Sequence, residues 1–352
     1  MHRYILLVDS RFAGYAKKEL RSFFGERCGA IDAIDGMLLA EIDVEPDAMG
    51  DEIEGNRFIF VYAAVPLIGT CAAKPGDYGA LLSILEENLD RKKSFRIEVL
   101  NMKANSGTNA KSIEVKLGTS LEERGFVADL SSPGMGAYVI LTGNHAFLGL
   151  ESGKRRSTLD WFRLSVNKGG KGVSRAEFKL EEAAYFFGID FRGMKRCIDI
   201  GAAPGGWSAA LAKTGSSVLA VDQSDLDYDA IRKLGVGVDV VDSFDMKDWK
   251  GVLHLKKSAA KAVGEIIGSG IIFDMLMIDM NVEPREAAEA AVALAPVVRD
   301  DGTLLMTIKL VDHRVHTHID TAMDRIRGAY SHAAVRKLPH NRREVTLYAK
   351  KG

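Results

Sequence analysis

Ten residues, Asp199-Ile200-Gly201-Ala202-Ala203-Pro204-Gly205-Gly206-Trp207-Ser208, constrain the fold of this chain more than any other stretch. They follow the apolar run Cys197-Ile198-Asp199-Ile200, and the pattern opens a helix at Trp207 that continues to Ala212. A strand that feeds a glycine-rich turn and then a helix is a unit of an open α/β sheet. In such a sheet the turn lies at the carboxyl edge, where ligands bind. The glycines let the backbone pass close to a ligand, and the first N–H groups of the helix are free to donate. The string is not the dinucleotide fingerprint G-x-G-x-x-G, because its third position is Ala203 followed by Pro204. Nor does the chain contain a G-x-x-x-x-G-K-[ST] phosphate loop.

What surrounds the turn repeats its pattern. Strands are expected over 217–221, 238–241, 273–278 and 302–310, with helices over 284–298 and 319–327 and a closing pair of strands over 334–337 and 344–350. Strands alternating with helices predict a Rossmann-like, doubly wound α/β sheet, mostly parallel, and the last pair adds an antiparallel edge. The chain has 352 residues, which suits two domains. The first 150 residues read as α+β. Met1 to Asp9 begin like a strand; helices are expected over 12–24, 78–89 and 112–125, and strands over 57–67, 95–100, 136–142 and 145–150. The division is therefore 1–152, a linker over 153–172, and 173–352.

Composition is that of a globular protein, 47% apolar and 27% charged, and no window approaches a membrane span. The first residues lack the apolar run and cleavage site of a signal peptide, so a cytoplasmic location is expected. Cys28, Cys71 and Cys197 have no metal spacing and read as small core residues of a reducing compartment. Net charge is −1, so no global field advertises a polyanion. The local balance differs. Residues 151–180 carry Lys154, Arg155, Arg156, Arg163, Lys168, Lys171, Arg175 and Lys179 against Glu151, Asp160 and Glu177. Three glycines, Gly169, Gly170 and Gly172, sit among them. A charge cluster is often only a solvated face. Here the glycines add close backbone approach, and Lys168, Lys171 and Arg175 are candidate RNA contacts.

The ten-residue string resembles the S-adenosyl-L-methionine loop of the FtsJ family of ribose methyltransferases. The resemblance spans about 155–350 and implies cofactor contacts at Gly201, Ala203, Pro204, Gly205, Gly206 and Trp207. Asp222 ends the second strand, where a carboxylate can bind a ribose diol. Asp242, after the third strand, is the candidate for the adenine amino group, with Asp245 as competitor. Four further segments resemble those that carry the family's Lys-Asp-Lys-Glu set. Ser174-Arg-Ala-Glu-Phe-Lys-Leu180 puts the first lysine at Lys179. Met277-Ile-Asp-Met280 gives Asp279, Thr307-Ile-Lys-Leu310 gives Lys309, and Asn341-Arg-Arg-Glu-Val-Thr-Leu-Tyr348 gives Glu344. The family's commonest pattern has a proline two or three residues after the aspartate, then asparagine. Asp279-Met-Asn-Val-Glu-Pro284 departs from it and, with Lys337-Leu-Pro-His-Asn-Arg-Arg-Glu-Val-Thr346, resembles the RlmM branch, which methylates a cytidine ribose in large-subunit ribosomal RNA.

The residue types suit that chemistry. A ribose 2′-hydroxyl is a poor nucleophile. A lysine can take its proton only if burial and a neighbouring cation lower the ammonium pKa. Lys309 is assigned as base or hydroxyl-orienting group, Asp279 as its partner near the sulfonium, and Lys179 and Glu344 as supporting members. The alternative needs no base: the lysines hold the oxygen lone pair in line, and positioning supplies the rate. Singly, a lysine ending an apolar strand or a glutamate opening one is often just a surface residue. His316-x-His318 reads as solvated loop rather than metal site, and no metal is expected.

In the N-terminal part, Ser112 to Leu130, then Ser131-Ser-Pro-Gly and Ala137-Tyr-Val-Ile-Leu, resembles a THUMP domain, an RNA-binding module of tRNA- and rRNA-modifying enzymes. The partner implied is structured RNA, ribosomal or transfer. Two other functions compete: a non-catalytic RNA-binding or ribosome-assembly factor, and a base-directed methyltransferase. The latter class relies on an Asn/Asp-Pro-Pro-aromatic motif or a catalytic cysteine, and neither stands in this sequence.

Overall fold

Strands β1 to β15 form two separate sheets, one in each of two units, Met1–Val166 and Asn167–Gly352. The computed structural model describes residues 1–73, 76–102, 109–152, 173–174, 176–244 and 248–352.

The first sheet has seven strands in the order β2-β3-β1-β4-β7-β6-β5. They are β1 (His2–Val8), β2 (Cys28–Ile34), β3 (Met37–Ile42), β4 (Val61–Ala72), β5 (Phe95–Asn101), β6 (Met135–Thr142) and β7 (His145–Ser152). All neighbours are antiparallel except β5 and β6. Sequence reading misses the β2–β3 hairpin, although its turn carries a signal. Ile34 pairs with Met37, and Asp35 and Gly36 between them both have positive φ, 38° and 84°. A two-residue turn of that hand favours an Asp-Gly pair. The strand expected over 57–67 begins only at Val61. The N–H groups of Ile59 and Phe60 donate to the Glu19 carboxylate (2.5 and 3.1 Å) and not to a ladder. Helices Gly79–Asn88 and Ala110–Glu123 bury Leu81, Leu85, Ile113, Leu117 and Leu121 in a core shared with Phe95, Val139 and Leu148.

The second sheet has eight strands in the order β10-β11-β9-β8-β12-β13-β15-β14. These are β8 (Arg196–Ile200), β9 (Ser217–Val221), β10 (Val238–Val241), β11 (Val252–Leu255), β12 (Phe273–Ile278), β13 (Val298–Lys309), β14 (Tyr330–Arg336) and β15 (Glu344–Lys351). From β10 to β13 every pair is parallel; β15 runs antiparallel to both β13 and β14. The Rossmann-like methyltransferase sheet with an antiparallel edge is thus the observed architecture. Central strands bear it out in composition: Met275, Leu276, Met277, Ile278, Leu304, Leu305 and Met306 are wholly buried, as strands covered on both faces must be. Strand order reverses at β8, which has β9 on one side and β12 on the other. That switch point is where open α/β sheets bind ligands.

Two expectations need correction here. The helix expected over 284–298 ends at Leu294, passes through the 3-10 turn Ala295–Val297, and Val298 already opens β13. Pro296 has no N–H to give Val292 and disfavours helix at Ala295. The strand 238–241, expected as third, is the sheet edge; the unforeseen β11 lies between it and β9. Among the described residues no helix is long and apolar enough to cross a membrane. Cys197 is buried, Cys28 and Cys71 half-buried, and none is paired.

Candidate functional site

The glycine turn sits at the carboxyl end of β8, and its backbone explains its composition. Gly201 has φ +79°, and a Cβ there would lie 3.0 Å from the Met280 backbone. Gly205 has φ +103°, and its Cβ would meet Ile231 Cδ1 at 2.8 Å. Both positions exclude larger residues by conformation and by space. Helix Gly206–Lys213 starts at once, so its first N–H groups face the turn. Pro204 follows Ala203 through a cis peptide bond. Trp207 is buried, and its Nε1–H donates to the Ala176 carbonyl (2.7 Å). Its side chain therefore serves packing, and the helix backbone is what it offers a ligand.

Asp222, just past β9, braces the turn. Its Oδ2 accepts from the Ala203 N–H (3.1 Å) and its Oδ1 from the Ser224 N–H (2.8 Å). Behind it lies His254 of β11, wholly buried, whose Nε2 is 3.0 Å from the Asp222 carbonyl. A carbonyl only accepts, so Nε2 carries the proton. Burial pushes the His254 pKa down, which keeps the ring neutral and leaves Nδ1 facing the Tyr228 hydroxyl at 2.9 Å. Asp242 lies just past the edge strand β10, one strand further from Asp222 than a third strand adjoining β9 would put it. The inserted β11 brings Lys256, not Asp242, to the end of the strand beside β9. Asp245, Lys168, Lys171, Arg175 and the linker 153–172 lie outside the described residues.

Asp199, within β8, is a wholly buried carboxyl with no role assigned from sequence. Ser208 donates to its Oδ2 (2.7 Å). Burial, reinforced by the charges of Asp279 and Asp222, pushes its pKa up to about 7 despite that bond.

The structure brings the four side chains Lys179, Asp279, Lys309 and Glu344 together on the other side of the switch point. Asp279 follows β12, Lys309 ends β13, and Glu344 opens β15 directly across the ladder from Lys309. Lys179 comes from helix Ala176–Phe187. Lysines and carboxylates alternate in a closed ring. Lys309 Nζ is 2.7 Å from Asp279 Oδ1 and 2.8 Å from Glu344 Oε2. Lys179 Nζ is 3.2 Å from Asp279 Oδ2 and 2.5 Å from Glu344 Oε1. All four side chains are less than one-fifth exposed. Thr307, unassigned from sequence, donates from Oγ1 to Asp279 Oδ1 (2.7 Å). Its signal was the two-residue spacing to Lys309, which puts both on one face of β13.

Of the two roles left open for Lys309, base or orienting group, the electrostatics favour the second. Burial alone works against both charged forms. For Asp279 and Glu344 the two ammonium groups outweigh it, and both carboxyls sit below their ordinary value. For Lys309 burial is likewise outweighed, by the Asp279 and Glu344 charges, and its pKa is raised. The neighbouring cation is there, but two carboxylates stand between the lysines. The ring holds Lys309 as an ammonium donor and not as a free-amine base.

His318 pairs with Asp312 (2.9 Å) and is largely buried, which differs from a solvated loop residue. Among the described residues no group of three metal-ligating side chains occurs.

Residues 172–319 match the family model of FtsJ-like methyltransferases, and this region is an FtsJ-like methyltransferase domain. A ribosomal RNA large subunit methyltransferase M of Marinobacter nauticus is 27% identical over 187 residues, 49% of this chain and 52% of that protein. An uncharacterized protein of Methanocaldococcus jannaschii is 23% identical over 188 residues, 51% of this chain and 47% of its own. The chain thus spans about half the length of the curated relatives it matches. The crystal structure of TrmN from Thermus thermophilus aligns over 100% of both chains, with 16% identity and a TM-score of 0.38.

Proposed function

We propose, from the premise that residues 172–319 are an FtsJ-like methyltransferase domain, that the protein methylates a ribose 2′-hydroxyl of RNA with S-adenosylmethionine. The observation that carries the reading is the closed Lys179–Asp279–Lys309–Glu344 ring at the carboxyl edge, beside the glycine turn. The turn suits an adenosyl cofactor: Gly201 and Gly205 take positive φ where no side chain fits, which keeps the turn tight, and Asp222 offers a carboxylate to a ribose diol. Gly206 and the first helical N–H groups add donors. Asp242 is a poorer adenine partner than its place in the sequence suggests, because β11 intervenes.

S-adenosylmethionine would supply an activated methyl on a sulfonium. Held by the glycine turn and Asp222, it would give that methyl to the 2′-oxygen and keep the electron pair of the broken S–C bond on sulfur. Lys309, held as an ammonium, donates to the 2′-oxygen and fixes a lone pair in line with the methyl carbon. Lys179 shares this work from the far side of the ring. Asp279 and Glu344 hold both lysines in place and keep negative charge near the sulfonium. The hydroxyl proton becomes strongly acidic as the O–C bond forms, and it leaves late, to a ring carboxylate or to solvent.

The N-terminal unit is the proposed RNA-binding, THUMP-like part, with Lys168, Lys171 and Arg175 contacting phosphates near the boundary. Large-subunit ribosomal RNA, at a cytidine, is the proposed acceptor, on the 27% identity to the Marinobacter protein and the sequence from Asp279 to Pro284. A substrate of that kind implies action in the cytoplasm. The test is incubation of the protein with methyl-labelled cofactor and unmodified ribosomal RNA or tRNA in separate reactions. Label in alkali-resistant dinucleotides from ribosomal RNA supports the reading. Label in alkali-labile mononucleotides would mean base methylation, and label in tRNA alone would move the acceptor.

A further inference from the structure

Lys179 and Glu344 meet across two elements, helix Ala176–Phe187 and the segment that leads into β15. A second tie joins the same two elements. Glu182 lies three residues after Lys179, on the same helix face, and is 1% exposed. Its Oε2 accepts the His340 backbone N–H at 2.9 Å, and its Oε1 contacts His340 Nδ1. The other side of the imidazole is fixed as well: it stacks on Phe178, with ring centroids 4.9 Å apart and 26° between planes.

His340 stands four residues before Glu344, and the chain between them has little freedom. The buried Lys337 ammonium donates to the Asn341 carbonyl. The Asn341 amide donates to the Thr346 hydroxyl (3.0 Å), and the Leu310 N–H donates to the Arg343 carbonyl (2.8 Å). A displacement of His340 is therefore carried to Glu344. On the helix side, the rigid turn between 179 and 182 carries any displacement of Glu182 to Lys179. Packing alone does not call for a carboxylate at 182: Ala183 and Leu180 fill the same helix's core face. A buried carboxylate is costly unless it is hydrogen-bonded, and both Glu182 oxygens are taken up by His340.

We infer that Glu182 and His340 are a positioning pair that sets the Lys179–Glu344 edge of the ring. The pair stands outside the ring and acts through it; it removes the freedom of the helix to slide against the β14–β15 segment. The Lys179–Glu344 ion pair cannot do this by itself, because a lysine side chain follows a shifting partner through four rotatable bonds. The inference rests on the reading of the ring as the methyl-transfer centre.

The test uses the full chain with the variants Glu182→Ala, Glu182→Gln and His340→Ala, each also on a Lys179→Ala background. Methyl transfer to RNA is measured as kcat, with KM for the cofactor, and the Lys179 ammonium is followed by 15N NMR without substrate. Misplacement by about 1 Å predicts a kcat loss on the order of 10- to 100-fold for Glu182→Ala and His340→Ala, with KM for the cofactor unchanged. The Lys179 Nζ signal broadens or shifts in both. Glu182→Gln, which still accepts the His340 backbone N–H, recovers most of the loss and keeps the protein folded for comparison. If the pair acts through Lys179, its loss on the Lys179→Ala background costs less than about twofold more. An unperturbed Lys179 signal, or an equal kcat loss with and without Lys179, overturns the inference. A wild-type protein that transfers no methyl group to RNA overturns the functional reading instead, and the NMR comparison still decides whether Glu182 and His340 position Lys179.

Discussion

The two sides of the switch point use buried carboxylates in opposite ways. On the β8–β9 side Asp199 has a hydroxyl for a partner and no cation, and its pKa rises to about 7. On the β12–β13–β15 side Asp279 and Glu344 are similarly buried but sit between two ammonium groups, and their pKa values fall. Burial is common to both sides, so it does not decide the sign; the cations do. One side of the site is built of backbone, glycine and a neutral-leaning acid, which suits holding a ligand. The other is a fixed array of charges, which suits orienting a reacting group.

The strongest way to break this comparison is to open the ring. Lys309→Met leaves Asp279 and Glu344 with one cation between them, and we expect methyl transfer to fall by on the order of 10³-fold. Folding stability should drop by about 3–5 kcal/mol, as for the loss of one partner in a buried ion pair. Cofactor affinity, which depends on the other side, should change little. Transfer assays, urea denaturation and calorimetric titration read the three quantities; normal transfer by this variant would remove the ring from the mechanism.

Next in size is the response of stability to pH. Asp199 has a raised folded pKa, so the unfolded state releases its proton first. Its contribution is present below the ordinary carboxylate range, near 4, and is lost as pH rises to about 7. Asp279 and Glu344 have depressed folded values, so their contribution is present above the ordinary range and is lost as pH falls below it. The cofactor-free protein should therefore lose stability at both ends, from different sides of one site. Asp199→Asn should remove the loss between about pH 4 and 7, on the order of 4 kcal/mol, and leave the acid limb unchanged. A variant with the wild-type slope across that window would show that Asp199 is not the group responsible.

These particulars also show what sequence could convey. The glycine turn is local, ten residues in one run, and its strand–turn–helix context follows from pattern. The ring residues stand up to 165 positions apart, from Lys179 to Glu344; they were legible as an ordered set of short segments resembling one family, and no single segment would have sufficed. Non-local pairings were not legible. Strand β11 is four residues long and gains its place only by pairing with β9 and β10. That one insertion displaces Asp242. Glu182 and His340 are 158 residues apart, and nothing in either neighbourhood names the other. The role of Lys309, base or orienting group, stayed open for a related reason: residue types announce two lysines, while their alternation with the carboxylates belongs to the fold.

On the ligand-holding side, Gly205→Ala sharpens the comparison. At φ +103°, with Ile231 Cδ1 only 2.8 Å from the added methyl, the strain should be about 1–3 kcal/mol. If the turn bears it when a ligand binds, cofactor affinity falls about 10- to 100-fold. Transfer at saturating cofactor should stay near wild type, because the ring is untouched. A loss of kcat with unchanged affinity would place the turn in the chemical step and erase the division between the two sides.

The smallest effect tests whether Asp279 is held by charge or by hydrogen-bond geometry. Thr307 and Lys309 both donate to Asp279 Oδ1, each at 2.7 Å. Thr307→Val keeps the branched shape and removes the hydroxyl from a wholly buried position. No donor is left without a partner, and Oδ1 keeps its lysine. If charge dominates, the cost is that of one net hydrogen bond, about 1 kcal/mol, read as a kcat loss of roughly fivefold with unchanged cofactor affinity. The Asp279 carboxyl should move up slightly, back toward its ordinary value, since it loses a donor to its ionised form. A loss approaching that of Lys309→Met would mean that the hydroxyl, not the ammonium, fixes the carboxylate. The ring would then be a consequence of Thr307's placement on β13, and the opposition between the two sides would rest on a single neutral hydrogen bond.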